Sequence, residues 1–295
     1  MRVAVTGASG FIGGHLVPAL RTAGHDVVRL VRRAPSAPDE VSWDPQSGVV
    51  DTAALGRVDA AIHLAGAGIG DRRWTTGYKR TVIDSRVEGT STLARALAAM
   101  DPRPAVLVSA SGIGYYGETG PTPTDESGPL DDTFAAQVCQ QWESAADPAR
   151  EAGIRVVHPR SAPVIARRGG AYGRLRLVLR TGLGGPLGSG RQYWSWITLE
   201  DEIRAMLFAL EQARLEGPVN FVAPNPVTNA ELMRACARAL HRPALVPVPA
   251  FALRLVLGEF ATELLISQRI VPRKLLDAGF SFTHAEIDEA AKTLA

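Results

Sequence analysis

The sequence predicts an α/β protein: a doubly wound parallel sheet followed by a smaller, loop-rich C-terminal lobe. Three observations carry that expectation. The apolar run Val3-Ala4-Val5 leads straight into Thr6-Gly7-Ala8-Ser9-Gly10-Phe11-Ile12-Gly13-Gly14, which reads as a strand, a glycine-punctuated turn and a helix start. Short apolar strands then alternate with helical periodicity through the first half of the chain, the pattern of a parallel sheet covered on both faces. In the second half this regularity gives way to glycine-rich loops.

The first turn sets the chemistry. Gly7 can take the positive φ that such a turn needs, Gly10 lets the backbone approach a phosphate, and Gly13 permits close packing of helix on strand. A helix opening at Phe11 presents free N–H groups and a partial positive charge to that phosphate. The spacing is GxxGxxG rather than GxGxxG, but the strand before it and the helix after it make a Rossmann-type dinucleotide site the expected use. Pro18 removes one bond of this helix, so a bend is expected there.

Gly24 stops the helix and residues 26–31 form the next strand. Residues 60–64 are a short buried strand and 78–100 a long amphipathic helix rich in Arg, Leu and Ala. Residues 105–108 are a strand, 134–153 a helix and 154–157 a strand. Gly169-Gly170 and the run from Gly182 to Gly190 mark loops around a helical stretch at 175–179. A helix over 200–215 and a strand over 219–222 follow. Thr228 and Glu231 form a capping box for a helix reaching Leu240, and the chain closes with a helix over 286–294. Residues 1–165 are therefore expected to form the nucleotide-binding domain, joined by parts of 196–225, and 166–295 the substrate lobe.

Composition narrows the function. With 295 residues, 46% hydrophobic and 21% charged, the chain is that of an ordinary water-soluble globular protein. A net charge of +2 argues against nucleic acid or an anionic membrane as partner. Cys139 and Cys236 make no disulfide framework and suit a reducing, cytoplasmic setting. The six histidines are scattered, so no metal site is expected. Glycines interrupt the N-terminal apolar residues, which disfavours a signal peptide, and no run is long enough to span a bilayer. The expected partner is a small molecule, with a homodimer left open.

The second strand names the cofactor. Its end carries Arg32 and Arg33, nineteen and twenty residues past Gly13, where an acidic residue would hold the ribose hydroxyls of NAD. A guanidinium suits a 2′-phosphate instead, so NADP(H) is expected. Asp44 is a candidate for the adenine edge or an ordinary turn residue.

Taken together, the segments 6–13, His63-Leu64-Ala65-Gly66 and Ser109-Ala110-Ser111-Gly112-Ile113-Gly114-Tyr115-Tyr116-Gly117 resemble the extended short-chain dehydrogenase/reductases, the NAD-dependent epimerase/dehydratase group. Asp84-Ser85-Arg86-Val87, the run Gly184 to Gln192 and Trp194-Ser195-Trp196-Ile197 look like an atypical branch known only as epimerase family proteins. Residues 246–294 are similar to the short C-terminal domain of unknown role which that branch carries. The resemblance implies a cofactor site at Gly7, Ser9, Gly10, Phe11, Ile12, Gly13, Arg32, Arg33, Asp44, Leu64, Ala65, Gly66, Arg86 and Ser109.

It also exposes a departure. The wider superfamily does its proton chemistry with a Tyr and a Lys four residues later; aligned on Glu143, these positions hold Ala135 and Cys139. The serine survives as Ser111. Tyr115 and Tyr116 follow the strand end and are candidates for the proton step, or for packing against cofactor or substrate. Arg86 sits where relatives often carry Asn; it is read as a holder of the cofactor or of a carboxylate. Nucleotide-sugar relatives grip a diphosphate with an Arg-Asp-Tyr-Ile-His-like run, which here reads Trp194-Ser195-Trp196-Ile197-Thr198. Trp194 and Trp196 thus favour a smaller or more apolar substrate, or simply pack the lobe, and Arg191 stays available for an anionic group. The leading expectation is an NADP(H)-dependent oxidoreductase on a small carbonyl or alcohol, with Ser111 binding its oxygen. A non-catalytic NADP(H) sensor and a sugar epimerase are the alternatives.

Overall fold

Apolar residues occupy both faces of the first strand, because the sheet it belongs to is covered on both sides. In the computed structural model, which describes all residues except Leu183, Leu245 and Ala295 and the side chains of Ala171 and Arg174, that strand is β1 (Arg2–Thr6). It leads to α1 (Gly13–Thr22), β2 (Asp26–Val31), β3 (Glu40–Asp44), β4 (Val49–Val50), α2 (Thr52–Leu55) and β5 (Ala60–His63). Next come α3 (Thr76–Ala98), β6 (Val106–Ser109), β7 (Ser111–Gly112), a 3-10 turn (Ile113–Tyr116), α4 (Phe134–Ser144), α5 (Asp147–Glu151) and β8 (Arg155–Ser161). The second half holds β9 (Val164–Ile165), α6 (Gly170–Arg180), β10 (Tyr193–Trp194), β11 (Ile197–Thr198), α7 (Leu199–Glu211), β12 (Gly217–Phe221), β13 (Val227–Thr228) and α8 (Asn229–Ala239). It ends with α9 (Ala250–Leu257), a 3-10 turn (Gly258–Phe260), α10 (Ala261–Leu265), α11 (Arg273–Asp277) and α12 (Ile287–Lys292).

Among the described residues nine strands form one sheet in the order β12-β8-β6-β5-β1-β2-β3-β4, with β7 pairing β8. Every pairing is parallel except β3 with β4. The chain order reverses between β1 and β5, and the crevice at their carboxyl ends is where such sheets bind ligands. One face packs Val3, Val5, Leu16, Leu20, Met206 and Phe221 beneath α1 and α7; the other packs Ala4, Leu30, Leu93, Leu97 and Leu107 beneath α3.

Several sequence expectations shift. The helix expected to open at Phe11 begins at Gly13, after a turn. The helix expected over 134–153 is two, α4 and α5, because Pro148 sits in the first turn of α5 and cannot continue the ladder of α4. β3 was not foreseen; its two acidic ends mask a five-residue strand. The capping box of Thr228 and Glu231 forms as expected.

In the lobe, α6, α8 and α12 share a core with Tyr172, Trp196 and Leu232. The tail then returns to the sheet: Leu275 and Phe280 lie in the core under α7. Fully buried Asp201 pins it there, accepting from the backbone N–H groups of Thr283 and His284 at 2.8 and 2.9 Å. No helix among the described residues is long and apolar enough to cross a membrane.

Candidate functional site

The crevice at the switch point is lined first by backbone. Gly7 adopts φ +67°, and a Cβ there would lie 2.7 Å from the Leu64 carbonyl carbon. Gly10 N–H donates to the Gly7 carbonyl at 2.9 Å, closing the turn. On Gly13 a Cβ would collide with that same carbonyl oxygen and come within 2.9 Å of the Ala8 Cα. Four of the longer helices, α3, α4, α7 and α8, are capped by a threonine side chain. By contrast α1 has no side-chain cap and no acidic residue in its first turn. Its N–H groups and dipole are thus open to an anion. Ser9 and Gly10 are exposed on the lip, while Phe11 is roofed by Gly169 and Gly170, whose added Cβ atoms would come within 2.5 and 2.9 Å of its ring.

Thr6 locks the two strands that flank the crevice. Its buried Oγ1 bonds His63 Nδ1 at 2.7 Å and accepts from the N–H groups of Leu64 and Ala65. Burial, then the charge of Arg86, pushes His63 down to about 3, so it stays neutral. Leu64, Ala65 and Gly66 therefore line the crevice with backbone.

The two arginines at the end of β2 part company. Arg32 is exposed and makes no hydrogen bond or ion pair with any described residue. Arg33 instead grips Glu40 with both terminal nitrogens at 2.8 and 2.6 Å, and Glu40 is held down to about 2, chiefly by Arg33 and then by the Ser36 N–H. The fork of Arg33 is thus filled by Glu40 of β3, a strand the sequence did not reveal, while Arg32 is left open. Asp44 serves the ordinary turn that is its alternative reading. Its carboxylate is used by its own turn, accepting from Gln46 N–H and from Ser47.

Arg86 is a buried cation under the β5 end. Nη1 donates to the carbonyls of Ala67 and Val82 at 2.8 and 3.1 Å, the guanidinium lies 4.6 Å over Trp142, and Nε has no partner. Burial lowers its pKa, yet no carboxylate pairs with it among the described residues. A cation held in this way is costly unless an anion or hydroxyl arrives.

At the β7 end, Ser111 donates to Glu143 Oε1 at 2.7 Å. Arg160 grips the same carboxylate through Nε at 2.8 Å and Nη2 at 2.9 Å. Its Nη1 donates to Tyr116 Oη at 2.9 Å, and Tyr116 donates to Asn220 at 2.7 Å. Burial alone would raise Glu143, but the bonds and charge of Arg160 outweigh it and hold the carboxyl below its usual range. Tyr116 is buried and its phenol is pushed up to about 12, so as a proton donor it is corrected: its proton is committed to Asn220. Tyr115 is half-buried, with Arg160 stacked 3.4 Å over its ring. Ser109 is fully buried, and its hydroxyl finds no hydrogen-bond partner among the described residues.

At the two positions of the usual acid–base pair the structure holds neither a phenol nor an amine. Ala135 is buried against Gly114, and Cys139 donates to the Gly112 carbonyl at 3.3 Å, its thiol pushed up to about 11 by burial. On the lobe side Arg191 is exposed and Trp194 half-buried, its indole donating to the Leu264 carbonyl. Trp196 is corrected: it is 0% exposed in the lobe core and offers a substrate no surface.

Arg160 and Glu143 were missed as a site pair, although an arginine inside Val156-Val157-His158-Pro159-Arg160 is a legible signal in an apolar strand. Glu202 was missed too. It is fully buried, accepts from Ser161 at 2.7 Å, and burial pushes it up to about 8. Because the folded state keeps this proton after the unfolded chain has lost it, stability falls as pH rises from the ordinary Glu range to about 8. Glu202→Gln is expected to raise stability by roughly 1–3 kcal/mol near pH 8 and by little near pH 5. Urea melts at both pH values check this; an equal effect at both would refute it.

The chain matches the family model described as NAD dependent epimerase/dehydratase family over residues 3–222, and a domain of unknown function, DUF1731, over residues 248–294. It is 48% identical to an epimerase family protein of Mycobacterium bovis, over 98% of this chain and 95% of that one. It is 40% identical to the epimerase family protein SDR39U1 of Bos taurus, over 99% of each chain. The crystal structure of human SDR39U1 with NADPH superposes with a TM-score of 0.90 at 36% identity, covering 100% of this chain and 99% of that one.

Proposed function

The chain belongs to the NAD dependent epimerase/dehydratase family, and on that premise we propose that it is an NADP(H)-dependent oxidoreductase acting on a small carbonyl or alcohol. The observation that carries this reading is the glycine cradle at the uncapped N-terminus of α1, with partner-free Arg32 at the end of β2. NADPH in the human relative's structure supports the same choice. When bound, the cofactor supplies or accepts a hydride at nicotinamide C4.

The chain's residues then divide the work. The backbone N–H groups left free after Gly10 N–H closes the turn would hold the pyrophosphate, and Arg32 would pair with the 2′-phosphate. Arg86, which no carboxylate pairs among the described residues, would supply the positive charge that Cys139 cannot. Ser111, whose own proton goes to Glu143, offers its lone pairs to a substrate hydroxyl or rotates to a carbonyl. Tyr115 at the strand end and Arg191 and Trp194 on the lobe are the proposed substrate contacts.

Arg32→Glu is expected to weaken NADPH about tenfold or more beyond any effect on NADH, because only NADPH carries the 2′-phosphate. Titration by nicotinamide fluorescence measures both; equal losses would refute the assignment. Ala135 and Cys139, at the positions of the missing pair, favour a second reading: a sensor that binds NADP(H) without turnover. Stoichiometric NADPH binding with no oxidation by any member of a carbonyl panel would support it.

A further inference from the structure

Residues 249–266, from α9 through α10, form a flap that the rest of the chain holds lightly. The chain is pinned by backbone on either side of it. Val248 bonds Pro186 and Gly188, while Ser267 bonds Thr119 and Gln268 bonds Tyr193. Between these pins no backbone–backbone hydrogen bond joins the flap to any other described residue. Its one buried residue is Ala261, and α9 leaves Phe251, Leu255 and Val256 exposed. A segment with so few buried apolar contacts opens at far less cost than the core.

The side chains that hold the flap down lie on both rims of the crevice. At the loop after β5, the Phe260 ring meets Trp74 edge-on at 5.5 Å and covers Gly70, where a Cβ would lie 2.9 Å from its Cζ. Trp74 in turn packs edge-on against Phe134 at 4.8 Å, at the start of α4. Lys79, in the first turn of α3, pairs with Glu259 at 2.5 Å, and Arg73 donates to the Leu255 carbonyl at 3.1 Å. On the far rim Gln268, just past the flap, donates to the Ile113 carbonyl at 3.1 Å, in the turn that follows Ser111. From the lobe, Gln192 and Trp194 both donate to the Leu264 carbonyl. The flap thus reaches from the β5 end to the β7 end, with β6 between them in the sheet.

We propose that residues 249–266 are a lid on the substrate end of the crevice, latched by the Glu259–Lys79 pair and by Phe260 against Trp74. It lifts to admit substrate and closes to keep water from the reacting atoms. The proposal rests on the NADP(H) reading above. Two features suit a latch better than fixed packing. Glu259–Lys79 is the one ion pair the flap makes with a described residue, and Glu259 is half exposed, so the contact is weak and screened by salt. Gly258, at φ +65°, breaks the chain between α9 and the turn that carries Glu259 and Phe260, which lets the latch move without bending a helix.

The test needs no substrate. Hydrogen exchange on the free protein reads the latch. Flap amides are expected to exchange well before those of β5 and β6, about two- to fivefold faster in Glu259→Gln and about tenfold or more faster in Phe260→Ala, with β5 and β6 unchanged. Added salt should speed the wild-type flap and leave that of Glu259→Gln as it is. The lid itself is read with phenazine methosulfate, a small acceptor that takes hydride directly from NADPH. Its rate of oxidising bound NADPH, extrapolated to saturating protein, is expected to rise in each variant by the same factor as flap exchange. A flap that exchanges only together with β5 and β6, or faster flap exchange with an unchanged oxidation rate, would overturn the lid. Failure of the wild type to bind NADPH would instead overturn the cofactor reading, and with it the crevice that the lid closes.

Discussion

Gly13→Ala is expected to abolish measurable NADPH binding and to destabilise the fold by about 3 kcal/mol or more. The reason is local and rigid. The new methyl meets the Gly7 carbonyl oxygen and the Ala8 Cα, all of it backbone. That backbone cannot retreat, because Gly7 sits at φ +67° against the Leu64 carbonyl and its own carbonyl accepts the Gly10 N–H. Relief requires α1 to move off β1, which opens the core at Leu16 and Leu20. Gly10 is the internal control: its added Cβ would come no nearer than 3.1 Å to the Gly7 carbonyl. Gly10→Ala should therefore keep the fold and lose affinity alone, through hindered approach of a pyrophosphate. Chemical denaturation and fluorescence titration separate the two effects. A Gly13→Ala protein with wild-type stability and affinity would refute the cradle.

Glu143→Ala is expected to cost about 3–5 kcal/mol, measured by urea denaturation. It leaves the Arg160 guanidinium, 3% exposed in its side chain, without its bidentate partner, and strips Ser111 of its acceptor. The penalty comes from the stranded charge more than from the lost bonds. Glu143→Met combined with Arg160→Met should then recover much of it, because removing both charges removes the desolvation that the pair must offset. A single-mutant loss below about 1 kcal/mol would show that water reaches Arg160 and that the pair is not a rigid post. Tyr115 gives a second view of the same event, since Arg160 stacks over its ring and would release it.

Much of the fold was legible in the chain. β2 lies at the residues that periodicity assigned it, and β5, β6, β8 and the capped α8 lie within a few residues of theirs. Those elements are written by local rules: a run of β-branched residues, a helical stripe, a capping box. β3 escaped because a five-residue strand bounded by Glu40 and Asp44 carries too little pattern, and it forms by pairing with β2 rather than by its own preference. That one omission hid the pairing of Arg33 with Glu40.

The candidate site divides along the same line. The glycine turn was readable because positive φ and close backbone approach require glycine at fixed offsets, whatever surrounds them. The absence of a tyrosine and a lysine from α4 was readable because it concerns identity alone. Which tyrosine is sealed, which arginine is free and which tryptophan is core depend on residues far apart in the chain. Tyr116 meets Asn220, Arg160 meets Glu143, and Trp196 packs with Leu232. By itself the sequence determined a parallel α/β sheet with a phosphate-binding turn, because strand, turn and helix signals act over a few residues. Only the tertiary structure decided which side chains are open to chemistry, because burial, charge pairing and proton affinity are set by neighbours that folding brings together.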